Sequence, residues 1–249
     1  MPKKPLPETE ETLADIDGES PEAVQYAIRL VNVSRVYDFG DSEVVALKDV
    51  NLDVAPGNLV VVSGPSGSGK TTLLNIVGGL DYPSGGRVVI MDVPIGDYDE
   101  TFRATFRLTN TGFVFQSYNL ISTLTALENV MFPMQLSDKD CGTLRANATK
   151  LLEDVGLSNR FNHLPWQLSS GEQQRVAMAR AMANDPPIII ADEPTANLDS
   201  ESAETIRGLL VKLNKIGKTV LVVTHDEDII SLPEARHLRM SDGVLSTDA

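Results

Sequence analysis

Lysine and threonine at positions 70 and 71 close the run Gly64-Pro65-Ser66-Gly67-Ser68-Gly69-Lys70-Thr71, with Thr72 behind it, and the spacing matches GxxxxGK(S/T). Each residue type has a physical role in holding phosphate. The glycines let the backbone turn so that successive N–H groups, those of the intervening serines included, point inward at phosphate oxygens. Lys70 sets a positive charge against the β- and γ-phosphates, and the Thr71 hydroxyl is a hard oxygen ligand for Mg²⁺. An apolar strand, NLVVVSG, precedes the loop and a helix, GKTTLLNIVGGL, follows it, so the positive end of that helix also faces the phosphates. The motif specifies a nucleoside triphosphate. By itself it does not separate kinases, GTPases, motors and transporters.

Groups able to break such a molecule lie further along. IIIADEP puts Asp192 and Glu193 at the C-terminal end of an apolar strand, where open parallel sheets gather their ligands. Asp192 suits Mg²⁺, through a water. Glu193 suits a general base that orients a water in line with the γ-phosphate. VLVVTHD ends a second apolar strand at His225, placed to hydrogen-bond the γ-phosphate. Gln116 ends TGFVFQ, and an amide both donates and accepts. It can touch Mg²⁺ or the attacking water, or report nucleotide state to the helices beyond it. His163, His237, Trp166 and Cys141 fall in no pattern that assigns them chemistry.

These residues need elements that bring them together. From Ala27 the chain reads as strands in AIRLVNVSRVY, VVALKDVNLDV and NLVVVSG, then as the helix after the phosphate loop, then as strands in GRVVIMDV and TGFVFQ. Residues from about 124 to 160 are mostly helical, with apolar spacing near 3.6 in TLRANATKLLEDVGL. After LSSGEQQRVAMARA come the strand PIIIADEP, the helix ESAETIRGLLVKLNKIG and the strand KTVLVVTH. The runs IIIA and VLVV are continuously apolar, as in strands buried on both faces of a parallel sheet. Alternating strands and helices predict an α/β domain over 27–249, with a helical lobe inserted at about 117–185. Residues 1–26 hold two lysines and seven acids among several prolines, and are expected to form an acidic, disordered tail.

Composition narrows the classes. Across 249 residues, 21 Lys and Arg against 35 Asp and Glu give a net charge of −14. Phosphate-backbone binding relies on Lys and Arg, so this balance argues against a nucleic-acid partner. A single cysteine, Cys141, leaves no disulfide within the chain, which fits a reducing cytoplasm. The N-terminal stretch lacks the apolar segment of a signal peptide, and no run approaches the ~18 apolar residues of a membrane helix. A membrane role would therefore be peripheral, through a partner.

LSSGEQQRVAMARA, residues 168–181, carries no acid–base pair, and its serines at a helix start read as ordinary caps on their own. Its company changes that reading. The phosphate loop at 64–71, Gln116, LSSGE at 168–172, IIIADE at 188–193, NLD at 197–199 and His225, in this order, resemble the nucleotide-binding domain of ATP-binding-cassette (ABC) transporters. The resemblance covers nearly everything from about Ala27 to Leu245, and LSSGE is similar to the family's LSGGQ signature. Ser170 and Glu172 stand where Gly and Gln are commonest, a departure expected to be tolerated. Within the family, GFVFQSYNLISTLTALENVMFP and ANDPPIIIADEPTANLDS are similar to the macrolide-efflux, lipoprotein-release and FtsE-like (MacB/LolD/FtsE-like) group.

The resemblance implies a P-loop NTPase (RecA-like) core with an antiparallel β subdomain and an inserted α-helical subdomain. It implies Mg²⁺-dependent ATP hydrolysis and a head-to-tail homodimer with two ATPs at the interface. Each ATP would be held by one subunit's phosphate loop and by Ser169, Ser170, Gly171 and Glu172 of the other. Asp199 would connect the two sites, and Tyr37 would stack on adenine. An integral membrane permease would sit on the helical lobe near Gln116, keeping the chain cytoplasmic and peripheral on the inner face of the cell membrane. A non-transport, mechanotransmitting cell-envelope complex is the alternative. DNA-repair relatives carry a long coiled coil, for which the 122-residue separation of Lys70 and Asp192 leaves no room. A purely regulatory module would be expected to lack Glu193 or His225.

Overall fold

The structure is a computed structural model, and it describes residues 26–40, 42–137 and 141–247. The expected tail at 1–26 lies, but for Tyr26, outside the described residues. The centre is a six-stranded sheet in the order β5-β6-β7-β3-β8-β9, formed by β3 (Leu59–Ser63), β5 (Thr111–Val114), β6 (Ile188–Asp192), β7 (Thr219–Val223), β8 (Ala235–Ser241) and β9 (Val244–Thr247). All neighbouring pairs are parallel except β8 with β9, which is antiparallel. The continuous apolar runs form the middle strands. Alternation decides which layer each side chain enters. Val60, Val62, Ile188, Ile190, Leu221 and Val223 face one core, and Leu59, Val61, Ile189, Val220 and Val222 face the other. Each such side chain contributes about 1.5–3 kcal/mol by leaving water.

The first core is closed by helix α1 (Lys70–Val77) and by a second, antiparallel sheet in the order β2-β1-β4, with β1 at Ile28–Asp38, β2 at Glu43–Val54 and β4 at Gly85–Ile90. The second core is closed by α6 (Ser200–Lys215) and by the short α7 (Glu227–Ile230) through Ile206, Leu210, Leu213 and Ile229. α6 begins at Asp199, whose carboxylate accepts from the Ser202 N–H, and it carries Lys212 and Lys215 in its last turn. Both features favour a helix of that polarity.

A third core belongs to three helices and the segments that join them. The helices are α3 (Ala126–Gln135), α4 (Cys141–Asp154) and α5 (Ser170–Ala181), packed through Val130, Met134, Leu144, Ala148, Leu152 and Val176. Thr125 and Glu128 form a capping box that starts α3. This lobe is tied back to the sheet by Asn184, whose amide donates to the carbonyls of Leu108 and Pro133. Among the described residues no helix is long and apolar enough to cross a membrane.

The structure adds elements that the sequence reading did not contain: α2 (Glu100–Asn110) and the β8–β9 hairpin. It also shortens one. Strand β5 stops at Val114, so Gln116 is not the last residue of a strand but lies two residues past its end. The chain turns there through Tyr118 and Asn119, both at positive φ, 60° and 49°.

Candidate active site

β3, β7 and β6 lie side by side, and their C-terminal ends release the phosphate loop, the His225 segment and the Asp192–Glu193 pair toward one region. The strand ends are stitched together beyond the ladder. Glu193 N–H donates to Val223 O at 2.9 Å, and Thr224 N–H donates to Val62 O at 3.1 Å. The outcome is a cleft of about 540 Å³ lined by Gly64, Ser66, Gly67, Gly69, Lys70, Thr71, Thr72, Gln116, Asp192, Glu193 and His225. The rest of its lining is Pro65 and Val44-Val45-Ala46 on β2; the β2 residues carried no sequence signal, because only tertiary packing sets Ala46 against Gly69 of the loop.

The loop needs its glycines. At Gly64, φ 154°, an added Cβ would lie 2.1 Å from the Met240 carbonyl oxygen, and at Gly69, φ 107°, 2.4 Å from that of Ala46. The backbone is thus pressed between β8 and β2 and cannot carry side chains there. Lys70 Nζ donates to the Gly64 and Pro65 carbonyls at 2.8 and 2.9 Å, which arches the loop over its own ammonium. Ser68 Oγ is buried with no hydrogen-bond partner, an unsatisfied donor within the turn. Phosphate oxygens suit such a cradle.

Thr71 Oγ1 donates to Asp192 Oδ2 at 3.1 Å, so two hard oxygen ligands meet in the cleft. Burial pushes the Asp192 carboxyl above its ordinary range. The Thr71 hydroxyl and Lys70 oppose that, and the neighbouring Glu193 adds to it. Among the described residues no three or more His, Cys, Asp or Glu gather to hold a metal. Thr71 Oγ1 and Asp192 Oδ2 are hard oxygen donors, and the pair fits a hard divalent ion that shares its coordination with phosphates and water.

Glu193 sits at φ 46°, an uncommon backbone for a side chain of its kind. Three contacts converge on its Oε2: Thr224 Oγ1 at 3.1 Å, His225 N at 3.2 Å and His225 Nδ1 at 2.9 Å. Glu193 thus has the basic neighbour that its sequence surroundings lacked. The segment after His225 is anchored through Asp226, whose Oδ2 accepts from Thr195 Oγ1 at 2.7 Å and faces Arg207 Nη1 at 3.2 Å. Burial would raise the Asp226 carboxyl, but Thr195, the Asp228 N–H and Arg207 hold it below the usual range.

The LSSGE residues lie elsewhere. Ser169 caps α5, its Oγ accepting from the Glu172 N–H at 3.2 Å while Glu172 Oε2 accepts from the Ser169 N–H at 2.9 Å. Arg160 Nε donates to Glu172 Oε1 at 2.7 Å. Burial works against the Glu172 charge, yet these bonds from Ser169 and Arg160 hold its carboxyl below the usual range. Both Glu172 oxygens are thus used within the chain, on fixing the helix start. Ser170 is the first residue of α5, and Gly171 is buried against α6. Asp199 accepts from Ser202 N at 2.9 Å and Ser202 Oγ at 2.7 Å, bonds that hold its carboxyl low. Among the described residues lining the cleft none comes from 169–172, and neither Asp199 nor Tyr37 lines it. Tyr37 donates its hydroxyl to Asp81 Oδ2 at 2.8 Å, and the Arg35 guanidinium lies 4.4 Å from its ring centre.

A phosphate loop, a paired threonine and aspartate, and a carboxylate–histidine pair at the ends of adjacent parallel strands define a P-loop nucleoside triphosphatase. The family follows from comparison. The ABC transporter model matches residues 47–196, and the chain belongs to that family, as an ATP-binding and ATP-hydrolysing subunit. It is 47% identical to the ABC transporter ATP-binding protein MJ1508 of Methanocaldococcus jannaschii, across 87% of this chain and 96% of that one. It is 42% identical to the macrolide export ATP-binding/permease protein MacB of Chlorobaculum tepidum, across 89% of this chain but 34% of that longer one. A solved dimeric structure of the M. jannaschii cassette MJ0796 superposes with a TM-score of 0.81 at 46% identity, covering 88% of this chain and 96% of that one. A second dimeric MJ0796 structure, in a post-hydrolysis state bound to ADP and Pi, gives 0.80 at 45%, covering 88% and 98%.

Proposed function

We propose that two copies of this chain close head to tail around two ATP molecules and that hydrolysis reopens them, driving a partner permease. One observation carries the reading. The cleft brings together phosphate-loop, metal-ligand and carboxylate–histidine groups suited to a triphosphate, while the capped start of α5 stands outside it. A helix N-terminus bearing Ser169 is an anion site, and a second copy is what brings it to the open side of the cleft. The dimeric MJ0796 structures support this arrangement.

In that complex the phosphate-loop N–H groups and Lys70 hold the β- and γ-phosphates, and Lys70 exchanges the Gly64 and Pro65 carbonyls for phosphate oxygens. Thr71 and Asp192, with Gln116 at the cleft edge, would hold Mg²⁺, which when bound neutralises charge on the phosphates. Glu193, oriented through Oε2, keeps Oε1 to accept a proton from the attacking water. The water oxygen bonds to the γ-phosphorus, and the bond to the β–γ bridging oxygen breaks. His225 can donate to Glu193 and to a γ-phosphate oxygen at once only with both ring nitrogens protonated. Asp199, rigid at the head of α6, connects the two sites. Tyr37, braced by Asp81 and Arg35, offers a ring to the base. The helical lobe at about 117–185 carries the output.

An apolar groove of about 240 Å³, lined by Phe113, Phe115, Phe132, Pro133, Leu136 and Arg180, runs between the sheet and that lobe next to Gln116. We assign it to the permease, which would hold the chain at the inner face of a membrane. MacB of C. tepidum is an ATP-binding/permease protein, and this chain spans 34% of its length.

Glu193→Gln tests the reading. The variant should bind ATP, lose at least ~100-fold in turnover and run as a dimer on sizing in Mg-ATP. Ser169→Arg should keep nucleotide binding by the monomer and lose the dimer. A monomeric Glu193→Gln profile in saturating Mg-ATP, or loss of ATP binding by the Ser169→Arg monomer, would refute the sandwich.

A further inference from the structure

Trp166 is the only tryptophan in the chain and, at 74% exposure, the most exposed large apolar side chain among the described residues. It occupies the single-turn 3-10 helix Pro165–Gln167, directly ahead of α5. The turn is rigid. Leu164 N–H donates to Gln167 Oε1 at 2.8 Å, Gln167 N–H to Leu164 O at 2.9 Å and Leu168 N–H to Pro165 O at 3.1 Å. Pro165 is buried beneath it, Ala126 N–H bonds the His163 carbonyl at 2.8 Å, and the Arg160–Glu172 pair fixes the segment on both sides. The indole is therefore displayed from a preorganised backbone. A large aromatic carried on a backbone that is already held loses less freedom on contact, as the anchors of protein interfaces do.

Its distance from Ser169 decides which surface it belongs to. Three peptide steps keep the two Cα atoms within about 11 Å. A standard interface covers ~800 Å² per partner, a patch of roughly 16 Å radius. With Ser169 at a nucleotide within about 5 Å of the centre of that patch, Trp166 falls inside it too. The opposing surface in a two-fold pair is the nucleotide cleft of the other copy, and each surface meets its counterpart twice. At the mouth of that cleft stand two exposed apolar side chains, Val44 at 50% and Val45 at 44%. Each copy carries a net charge of −14, so charge repulsion opposes pairing and apolar contacts must contribute to it.

We infer that Trp166 anchors closure between two copies of this chain, packing at the Val44–Val45 edge of the partner's nucleotide cleft. The inference rests on the ATP-sandwich reading, and the test keeps the two apart. In the Glu193→Gln background the sole indole is an intrinsic probe. Sizing and fluorescence are recorded on the same samples with and without Mg-ATP. On dimer formation, Trp166 emission should shift to shorter wavelength and acrylamide quenching should fall about threefold or more. Trp166→Ala in the same background should weaken the dimer about thirtyfold. ATP binding measured at protein concentrations below dimerisation should be unchanged. A dimer whose indole is quenched as in the monomer, or whose affinity survives Trp166→Ala, overturns the inference and leaves the sandwich standing. Failure to dimerise with Trp166 intact removes both.

Discussion

Gly171→Ala tests how tightly the start of α5 is bound to α6. A Cβ at position 171 would lie 2.2 Å from Ser202 Oγ and 2.7 Å from Ser202 Cβ. Rotating the hydroxyl away does not relieve the second contact, and it breaks the 2.7 Å bond from Ser202 Oγ to Asp199. Either the helices part or the Asp199 cap is disturbed. Overpacking of this kind costs about 1–3 kcal/mol, and the better helix propensity of alanine returns at most ~1 kcal/mol. Gly171 is only the second residue of α5, where little of that return is realised, so the net loss is about 1–2 kcal/mol, or ~2–8 °C in Tm for a chain of this size. Calorimetry of the wild type, Gly171→Ala, Ser202→Gly and the double variant closes a cycle. Ser202→Gly removes both clashing atoms, so the double variant should be at least ~1 kcal/mol more stable than the two single effects predict. ATP hydrolysis should fall in Gly171→Ala, because Ser169 and Asp199 move with their helices, while ATP binding by the monomer stays. Additivity within ~0.5 kcal/mol, or an unchanged Tm, would show that the helices yield without strain and that the reasoning fails.

Asp192→Asn should separate stability from activity. Burial raises the folded-state pKa of Asp192, so its contribution is fully present below the ordinary carboxylate range and is lost as pH rises through the raised value. Asparagine can still accept from Thr71 and carries no charge. Without nucleotide, it should be more stable than the wild type at neutral pH, with a higher Tm, by under ~1 kcal/mol once solvent screening of a half-buried group is allowed for. The gap should close toward pH 4, and Mg-dependent turnover should be lost at every pH; an equal Tm at neutral pH would show that burial is not the dominant influence. Glu172→Gln keeps the capping-box geometry and removes the charge paired with Arg160. It should cost ~1 kcal/mol or less at neutral pH. Because the folded pKa of Glu172 is lowered, that difference should vanish as pH falls below the ordinary carboxylate range; a pH-independent difference in urea titrations would locate its cause elsewhere.

What was legible in the sequence was local. Gly64–Thr71, Asp192–Glu193 and His225 each sit at the end of an apolar run, so a short window carries both the element and its chemistry. The Ser169 cap was readable for the same reason, since its partner Glu172 is three residues away. What was hidden depends on residues far apart in the chain. Val44-Val45-Ala46 becomes a cleft wall only where β2 packs against the phosphate loop, with the Ala46 carbonyl against Gly69. Arg160 joins Glu172, and Arg207 joins Asp226, only after helices pack. Strand β8 alternates charged and apolar residues in ARHLRMS and gains its identity from lying beside β3. Tyr37 combines both kinds of information: the family resemblance pointed to a nucleotide base, and only the structure shows the Arg35 and Asp81 that brace its ring.

The stitching of strand ends gives the central sheet a way to measure its own alignment. Leu59–Val62, Ile188–Ala191 and Val220–Val223 are apolar on both faces, so burial alone does not distinguish one pairing offset from the next. A slip of one residue would move a strand by about 3.3 Å and leave its core contacts apolar. It would, however, carry Glu193 out of reach of Thr224 and His225, or Asp192 out of reach of Thr71. During refolding, hydrophobic collapse would admit several offsets, and only one of them restores ATP turnover. The polar residues at the ends of the strands therefore act as a vernier for the apolar residues between them.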